Sequence, residues 1–303
     1  MVKLLAEPAP AKINLFLRVV GRRADGYHEL DSVFVPVSLC DQVRVEIRVA
    51  SRAVADTSIA LRCDRDDLPM GAKNLAWRAA DAFLHEFGGA ARPSHVAIDL
   101  RKEIPAGAGL GGGSSDAGAV LRMMAALCRV DDPSRLSRVA LGLGADVPFF
   151  LSPHVAHVGG VGERISPLGL FPPGARAPVW QTPLRMVIAA PPVEVSTAEV
   201  FRALRPAQWS GPAPAEHLRA IAAGEIAPAM LQNDLAAVAM ARHPEIAQLK
   251  SALEAAGATA AAMSGSGGAV FGIFASAAAA ARAAAEMRPA LPQTRFYVVN
   301  SLA

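Results

Sequence analysis

The chain has 303 residues, 52% hydrophobic and 19% charged, enough apolar side chain to fill one large domain or two ordinary ones and too much for a disordered segment. Its net charge of +3 comes from Lys and Arg scattered along the chain, which excludes a basic stripe of the kind that binds nucleic acid. Cys40, Cys63 and Cys128 are far apart and match neither a disulfide framework nor a metal-ligand spacing, as expected of reduced thiols in a cytoplasmic protein.

Met1 to Lys12 contains no apolar run of signal-peptide length, because Glu7 and two prolines interrupt it. Residues 12–19 then alternate: Ile13, Leu15, Leu17 and Val19 point one way, and Lys12, Asn14, Phe16 and Arg18 the other. That pattern predicts a strand with Lys12 and Asn14 side by side on one face. Asp25-Gly26 marks a turn, and further strands are expected at Val43–Val49 and Val96–Leu100. A glycine-rich stretch leads into a helix carrying Ala117, Val120, Leu121, Met124 and Leu127, with Ser114, Ser115 and Asp116 at the capping positions. A second helix bears Leu136, Val139, Ala140 and Leu143; Gly144 stops it and leaves Asp146 in a loop before Pro148.

Five prolines between Pro167 and Pro183 mark a change of unit. Beyond it come a strand at Met186–Ala190 and a helix with Ile246, Leu249, Lys250 and Leu253 that ends at Gly257. Ala255 to Ala281 carries no charge and is long enough to cross a bilayer. Its centre, Ser264-Gly-Ser-Gly-Gly268, breaks it into strand, loop and strand instead. A strand at Ala269–Phe274, an alanine-rich helix from Ser276 to Met287 and a strand at Thr294–Val299 complete the chain. Strands and helices alternate without a βαβ rhythm, so the expected class is α+β in two units.

The chemistry concentrates in Pro105, Ala106, Gly107, Ala108, Gly109, Leu110, Gly111, Gly112, Gly113, Ser114 and Ser115. Glycines let successive backbone N–H groups face one concavity, and the following helix adds its unpaired N–H groups and positive dipole end. Such a loop cradles a polyphosphate, and the two serine hydroxyls suit phosphate oxygens or a magnesium ion. A Walker loop needs a Gly-Lys-Ser/Thr ending that is missing here, and no protein-kinase signature occurs. The dinucleotide spacing G-x-G-x-x-G is met by Gly107, Gly109 and Gly112, but Asp131 and Asp132 follow a helix rather than end a strand. The residues by themselves define a phosphate-binding loop and leave its class open.

That loop resembles the second motif of the GHMP kinase superfamily of galactokinase, homoserine, mevalonate and phosphomevalonate kinases. Pro10-Ala-Lys-Ile-Asn-Leu-Phe-Leu17 resembles the first motif and Met263-Ser-Gly-Ser-Gly-Gly-Ala-Val-Phe271 the third. Within the superfamily, five segments resemble the branch whose acceptor is a cytidine-diphosphate-bearing methylerythritol of the non-mevalonate isoprenoid route. They are Ala11-Lys-Ile-Asn-Leu15, Arg23-Ala-Asp-Gly-Tyr-His-Glu-Leu30, Gly109-Leu-Gly-Gly-Gly-Ser-Ser-Asp-Ala117, Gly144-Ala-Asp-Val-Pro-Phe149 and Gly160-Val-Gly-Glu163. Asn233-Asp-Leu235 also matches, although Ala236 stands where glutamate is common.

The resemblance implies a two-domain fold, a β-rich nucleotide-binding unit at 1–165 and an α/β unit at 166–303, with the site in the cleft between them. It implies a cytoplasmic, ATP- and Mg2+-dependent kinase, monomeric or homodimeric, acting on the acceptor's 2-hydroxyl with no nucleic-acid or membrane partner. Asp146 is implied as general base, and Lys12 as the group that stabilises phosphoryl charge and keeps Asp146 ionised. Asn14, Tyr27, His28, Thr197 and Phe201 are implied on the acceptor side, Tyr27 and Phe201 facing the base and His28 its polar edge. Ser264, Gly265 and Ser266 support the phosphates; no side chain is assigned as a metal ligand. A kinase for homoserine or mevalonate and a non-catalytic ligand-binding regulator are the alternatives, and His154 and His157 read as structural.

Overall fold

The computed structural model describes residues 1–49, 56–88, 93–169 and 183–302. Most of the proline-rich stretch expected to mark a change of unit, residues 170–182, lies outside the described residues. The chain forms two compact units, each assembled from separate stretches. The first holds Met1–Ala11, Cys40–Ile104 and Gly111–Pro153; the second holds Lys12–Leu39, Pro105–Leu110 and His154–Ala303. A single division at 165/166 would fall inside the second unit. The reason lies in two 21-residue strands, β1 (Val2–Arg22) and β2 (His28–Arg48), each of which runs through both units.

In the first unit, β3 (Ser58–Cys63) runs parallel to β4 (His95–Arg101), and β4 runs antiparallel to the end of β2, from Gln42 opposite Arg101 to Arg48 opposite His95. Val43, Val45 and Ile47 alternate inward against Val96, Ile98 and Leu100, the period-2 pattern of a half-buried sheet. Helices α1 (Leu75–Phe87), α2 (Gly112–Cys128) and α3 (Pro133–Leu143) share its core. The sequence reading did not anticipate α1. Asn74 caps it by accepting the Ala76 N–H at 2.9 Å, and Ala76, Ala79, Ala80, Phe83 and Leu84 form its buried stripe.

In the second unit, Leu30–Phe34 of β2 pair antiparallel with β5 (Ala156–Gly160), which pairs with β6 (Arg164–Pro167). A separate antiparallel sheet has the order β10-β7-β9-β8, from β7 (Arg185–Ala190), β8 (Ala260–Met263), β9 (Val270–Phe274) and β10 (Arg295–Asn300). Helices α4 (Thr197–Ala203), α5 (Ala215–Ala222), α6 (Ala236–Arg242), α7 (Pro244–Ala255) and α8 (Ala277–Ala290) complete the unit. The uncharged stretch at 255–281 is thus the end of α7, a β-hairpin and the start of α8. Among the described residues, no helix is long and apolar enough to cross a membrane.

Two helical glycines make opposite use of their missing side chain. A Cβ on Gly118 of α2 would lie 2.6 Å from the Phe150 Cβ and 2.9 Å from its carbonyl, whereas one on Gly142 of α3 meets nothing within 4 Å. Helix propensity alone favours alanine at either position by about 1 kcal/mol. Urea titration should therefore find Gly142→Ala more stable by roughly 0.5–1 kcal/mol and Gly118→Ala less stable than the parent.

Candidate active site

Lys12 and Asn14 adjoin on β1 as expected, but both are buried, 4% and 2% exposed. Lys12 Nζ donates to Asn14 Oδ1 at 2.7 Å and lies 4.5 Å from the centroid of the Phe34 ring. Asn14 Nδ2 donates to Ser32 Oγ at 2.9 Å, and Ser32 Oγ in turn donates to the Phe16 carbonyl at 2.5 Å. With its acceptor end on a cation and its donor end on a hydroxyl, the Asn14 amide has one orientation. Ser32 and Phe34 were not singled out by sequence, because nothing in a strand pattern marks a small residue as a hydrogen-bond relay.

The same unit brings three distant segments together. The Lys12 N–H donates to the Leu110 carbonyl at 2.9 Å. The Asn14 N–H donates to Ser264 Oγ at 3.3 Å, and that hydroxyl donates to the Gly109 carbonyl at 3.2 Å. Ala269 N–H donates to the Ala108 carbonyl at 3.0 Å. Approach is close enough that a Cβ on Gly109 would stand 2.4 Å from the Ser264 carbonyl oxygen, so that position takes only glycine. Asn233 spans the turn after β8, its Nδ2 donating to the Met263 and Gly265 carbonyls at 2.9 Å each. The Asn233-Asp-Leu235 signature is therefore a brace for the Ser264–Gly265 turn. Ser266 Oγ lies 2.6 Å from Thr197 Oγ1 at the start of α4.

The glycine loop divides at residue 110. Pro105–Leu110 belong to the second unit and Gly111 onward to the first. Helix α2 begins at Gly112, earlier than the sequence predicts, so Ser114, Ser115 and Asp116 lie inside its opening turns and do not cap it. The capping position is Gly111 in the left-handed region (φ 73°), and no side chain accepts a hydrogen bond there. The N–H groups of Gly112, Gly113 and Ser114 have no intrahelical acceptor, and no capping oxygen takes their place. Buried Ser115 Oγ also has no partner among the described residues. An uncapped helix start of this kind is free to receive an anion.

A buried ion triad fixes that helix start within its own unit. Lys102 Nζ donates to both Asp41 Oδ2 and Asp116 Oδ2. The Asp41 carboxylate also receives the Glu103 and Ile104 N–H groups at 2.6 and 2.9 Å. Burial pushes the Asp116 carboxyl up to about 7; Lys102 pulls against this, and the Asp41 charge adds to it. Burial works to lower Lys102, and the two carboxylates more than reverse that, raising it. The sequence marked Asp116 only as a capping residue, because its two partners come from β2 and the end of β4.

Asp146 is half-buried in the turn between α3 and the 3-10 segment Pro148–Leu151, the loop the sequence predicted. In the second unit, His28 stacks on Phe201 of α4 with centroids 5.1 Å apart and planes at 25°. Trp209 meets His28 edge-on at 5.9 Å and 88°. Burial lowers the His28 pKa and the Arg22 charge lowers it further, which favours the neutral imidazole. Tyr27 stands 66% exposed on the preceding turn. Cys40, Cys63 and Cys128 are half-buried thiols, His157 Nε2 lies 2.5 Å from Asp31 Oδ1, and no group of three or more His, Cys, Asp or Glu among the described residues is arranged to hold a metal.

Comparison with known proteins identifies the family. The family "GHMP kinases N terminal domain" matches residues 74–153 and "GHMP kinases C terminal" residues 215–293. A solved homoserine kinase from Cytophaga hutchinsonii shares the fold, with a TM-score of 0.71 at 20% identity over 99% of this chain and 95% of that one. The chain is a small-molecule kinase of the GHMP class. A 4-diphosphocytidyl-2-C-methyl-D-erythritol kinase from Anaeromyxobacter dehalogenans is 44% identical over 88% of this chain and 79% of its own length. One from Geobacter metallireducens is 40% identical over 91% of each. A crystal structure of 4-(cytidine 5'-diphospho)-2C-methyl-D-erythritol kinase superposes with a TM-score of 0.79 at 38% identity, covering 99% of this chain and all (100%) of that one. The chain belongs to the 4-diphosphocytidyl-2-C-methyl-D-erythritol kinase family.

The triad predicts a pH dependence of stability. The Asp116 carboxyl, raised from 3.8 to about 7, holds a proton in the folded state that the unfolded chain releases. Its contribution is fully present below the unfolded value and is lost as pH rises through the folded one. Asp116→Asn removes this loss. Urea midpoints measured from pH 4 to 8 should show the parent falling relative to the variant, mostly below about pH 7.

Proposed function

We propose that the chain transfers the γ-phosphoryl group of ATP to the 2-hydroxyl of 4-diphosphocytidyl-2-C-methyl-D-erythritol, giving the 2-phosphate and ADP. The observation that carries this reading is the joining of the three motif segments at Lys12, Asn14, Gly109 and Ser264. Relatives that bear the name of this kinase match nearly the whole chain. The glycine loop and the uncapped start of α2 receive the phosphates, for which unclaimed N–H groups and the helix dipole are suited. The unpartnered Ser115 hydroxyl fits the same anionic ligand. Magnesium, carried on the nucleotide, would neutralise phosphate charge, and the Ser114 and Ser115 hydroxyls of the loop are suited to meet it.

Asp146 accepts the proton of the attacking hydroxyl, and the buried Lys12 cation stabilises charge on the transferring group. Positioning and charge stabilisation carry most of such a transfer. Asn14 acts by fixing the Lys12 ammonium, since the Asn14 amide is itself locked by Ser32. On the acceptor side, the exposed Tyr27 ring and Phe201 offer faces to a cytosine, and a neutral His28 reads its polar edge. Thr197, beside Ser266 at the start of α4, borders the same region. Half-buried thiols support a reducing, cytoplasmic setting.

ATP consumption by the purified protein should depend on the diphosphocytidyl acceptor, with homoserine and mevalonate inert; the reverse pattern would move the chain to another branch of the class. Asp146→Asn should lower kcat by about 10²–10⁴ while the KM for ATP stays put. Near-normal turnover would remove Asp146 from the role of base. Tyr27→Ala should raise the KM for the acceptor and leave that for ATP unchanged.

A further inference from the structure

We propose that Trp209 is a positioning residue for acceptor-base selection, setting the plane of the His28 ring by its edge contact and so directing the imidazole's polar edge. This rests on the reading of a cytidine-bearing acceptor given above. The Phe201 ring stacks on His28 with planes 25° apart, and the Trp209 ring stands at 88° to the imidazole, so two ring contacts of different geometry oppose its rotation. A histidine that selects a base by hydrogen bonding needs such restraint, because discrimination falls when the donor or acceptor swings.

Trp209 sits on a strap that is itself tied down. The Ser210 N–H donates to Asp234 Oδ2 at 2.9 Å, and the Ser210 hydroxyl donates to Asp234 Oδ1. Asp234 is 7% exposed and also receives the Val19 N–H at 2.8 Å, so one buried carboxylate joins the strap to β1. Further along, the Gly211 N–H donates to the Val19 carbonyl at 3.3 Å and the Ala213 N–H to Asp31 Oδ2 at 2.6 Å. This is a heavily fastened segment for a connection between short helices.

Trp209 also carries a cost. Its indole N–H is buried without a hydrogen-bond partner among the described residues. Burying an unpaired donor opposes folding, so leucine or phenylalanine would fill the space better if filling space were the purpose. The shape and edge of the aromatic ring are what the position retains.

The test compares Trp209→Leu and Trp209→Phe with the parent, using the diphosphocytidyl acceptor and its uridine counterpart. Trp209→Leu should keep the parent's melting temperature, raise the KM for the cytidine acceptor about three- to tenfold at unchanged kcat and KM for ATP, and narrow the cytidine-to-uridine ratio. Trp209→Phe keeps an aromatic edge and should stay within about twofold of the parent. A leucine variant with parental acceptor KM and parental base ratio overturns the proposal, as does one that loses kcat and both KM values together. His28→Ala serves as the reference. If it raises the acceptor KM while Trp209→Leu does not, the positioning role fails and the base-reading site stands. If His28→Ala leaves the acceptor KM unchanged, the reading of the acceptor site fails, and this inference with it.

Discussion

The contact on which the second unit depends is the approach of the Gly109 backbone to the carbonyl of Ser264, near enough to exclude any Cβ. Two stretches more than 150 residues apart in sequence can touch at that distance only if one of them has no side chain. Once they touch, the Ser264 hydroxyl lies between the Gly109 carbonyl and the Asn14 N–H, and the Leu110 carbonyl meets the Lys12 N–H. Lys12 reaches its place through backbone geometry, before its own charge enters the argument. Its ammonium donates to Asn14, whose amide donates to Ser32, so two neutral side chains help to orient the buried cation.

The other half of the glycine loop is fixed by a different kind of force. Helix α2 enters its unit without a cap, and what holds its opening turns is Lys102, shared by Asp41 and Asp116. Two carboxylates on one ammonium leave a surplus negative charge, and burial answers by raising one carboxyl toward neutrality. A serine cap would have claimed one of the helix's N–H groups, and the left-handed backbone of Gly111 disfavours any such side chain there. The arrangement forgoes the cap and recovers the anchoring from a side chain farther inside the helix. The start of α2 remains open while its position stays fixed.

Much of this was legible in the sequence, for identifiable reasons. The β1 core at residues 12–19, the helix α3 stop at Gly144 and the Asp146 turn each follow from local periodicity or a single glycine, and each appears in place. The strand runs from Val2 to Arg22, longer than its alternating core, and takes in Pro8 and Pro10. Helix α1 went unread although its Asn74 cap and apolar stripe were both present in the sequence. The α2 boundary was placed too late because serines are the usual caps, and only the left-handed Gly111 reveals the true start. The division into units had no local signal at all. It is a property of β1 and β2, whose continuity through both units is a tertiary fact. For the same reason, Ser32, Lys102, Asp41 and Asn233 acquire roles only when distant segments meet.

In the proposed acceptor site the aromatic residues divide by how firmly they are packed. Tyr27 projects from an exposed turn, whereas His28, one residue later, is gripped by Phe201 and Trp209. The difference follows from what each can offer a base. A stacking face tolerates rotation about its own normal and any base presents a π surface, so in the proposed role an exposed Tyr27 would give up little selectivity. A hydrogen bond to a base edge tolerates little misdirection, and its value for discrimination lies in the wrong base leaving a polar group unpaired. That penalty exists only if the imidazole cannot turn away. If the proposed acceptor site is right, the Asp234 and Asp31 carboxylates that fasten the Trp209 strap would act at a distance on selectivity, by removing the freedom with which the protein would otherwise accommodate the wrong ligand.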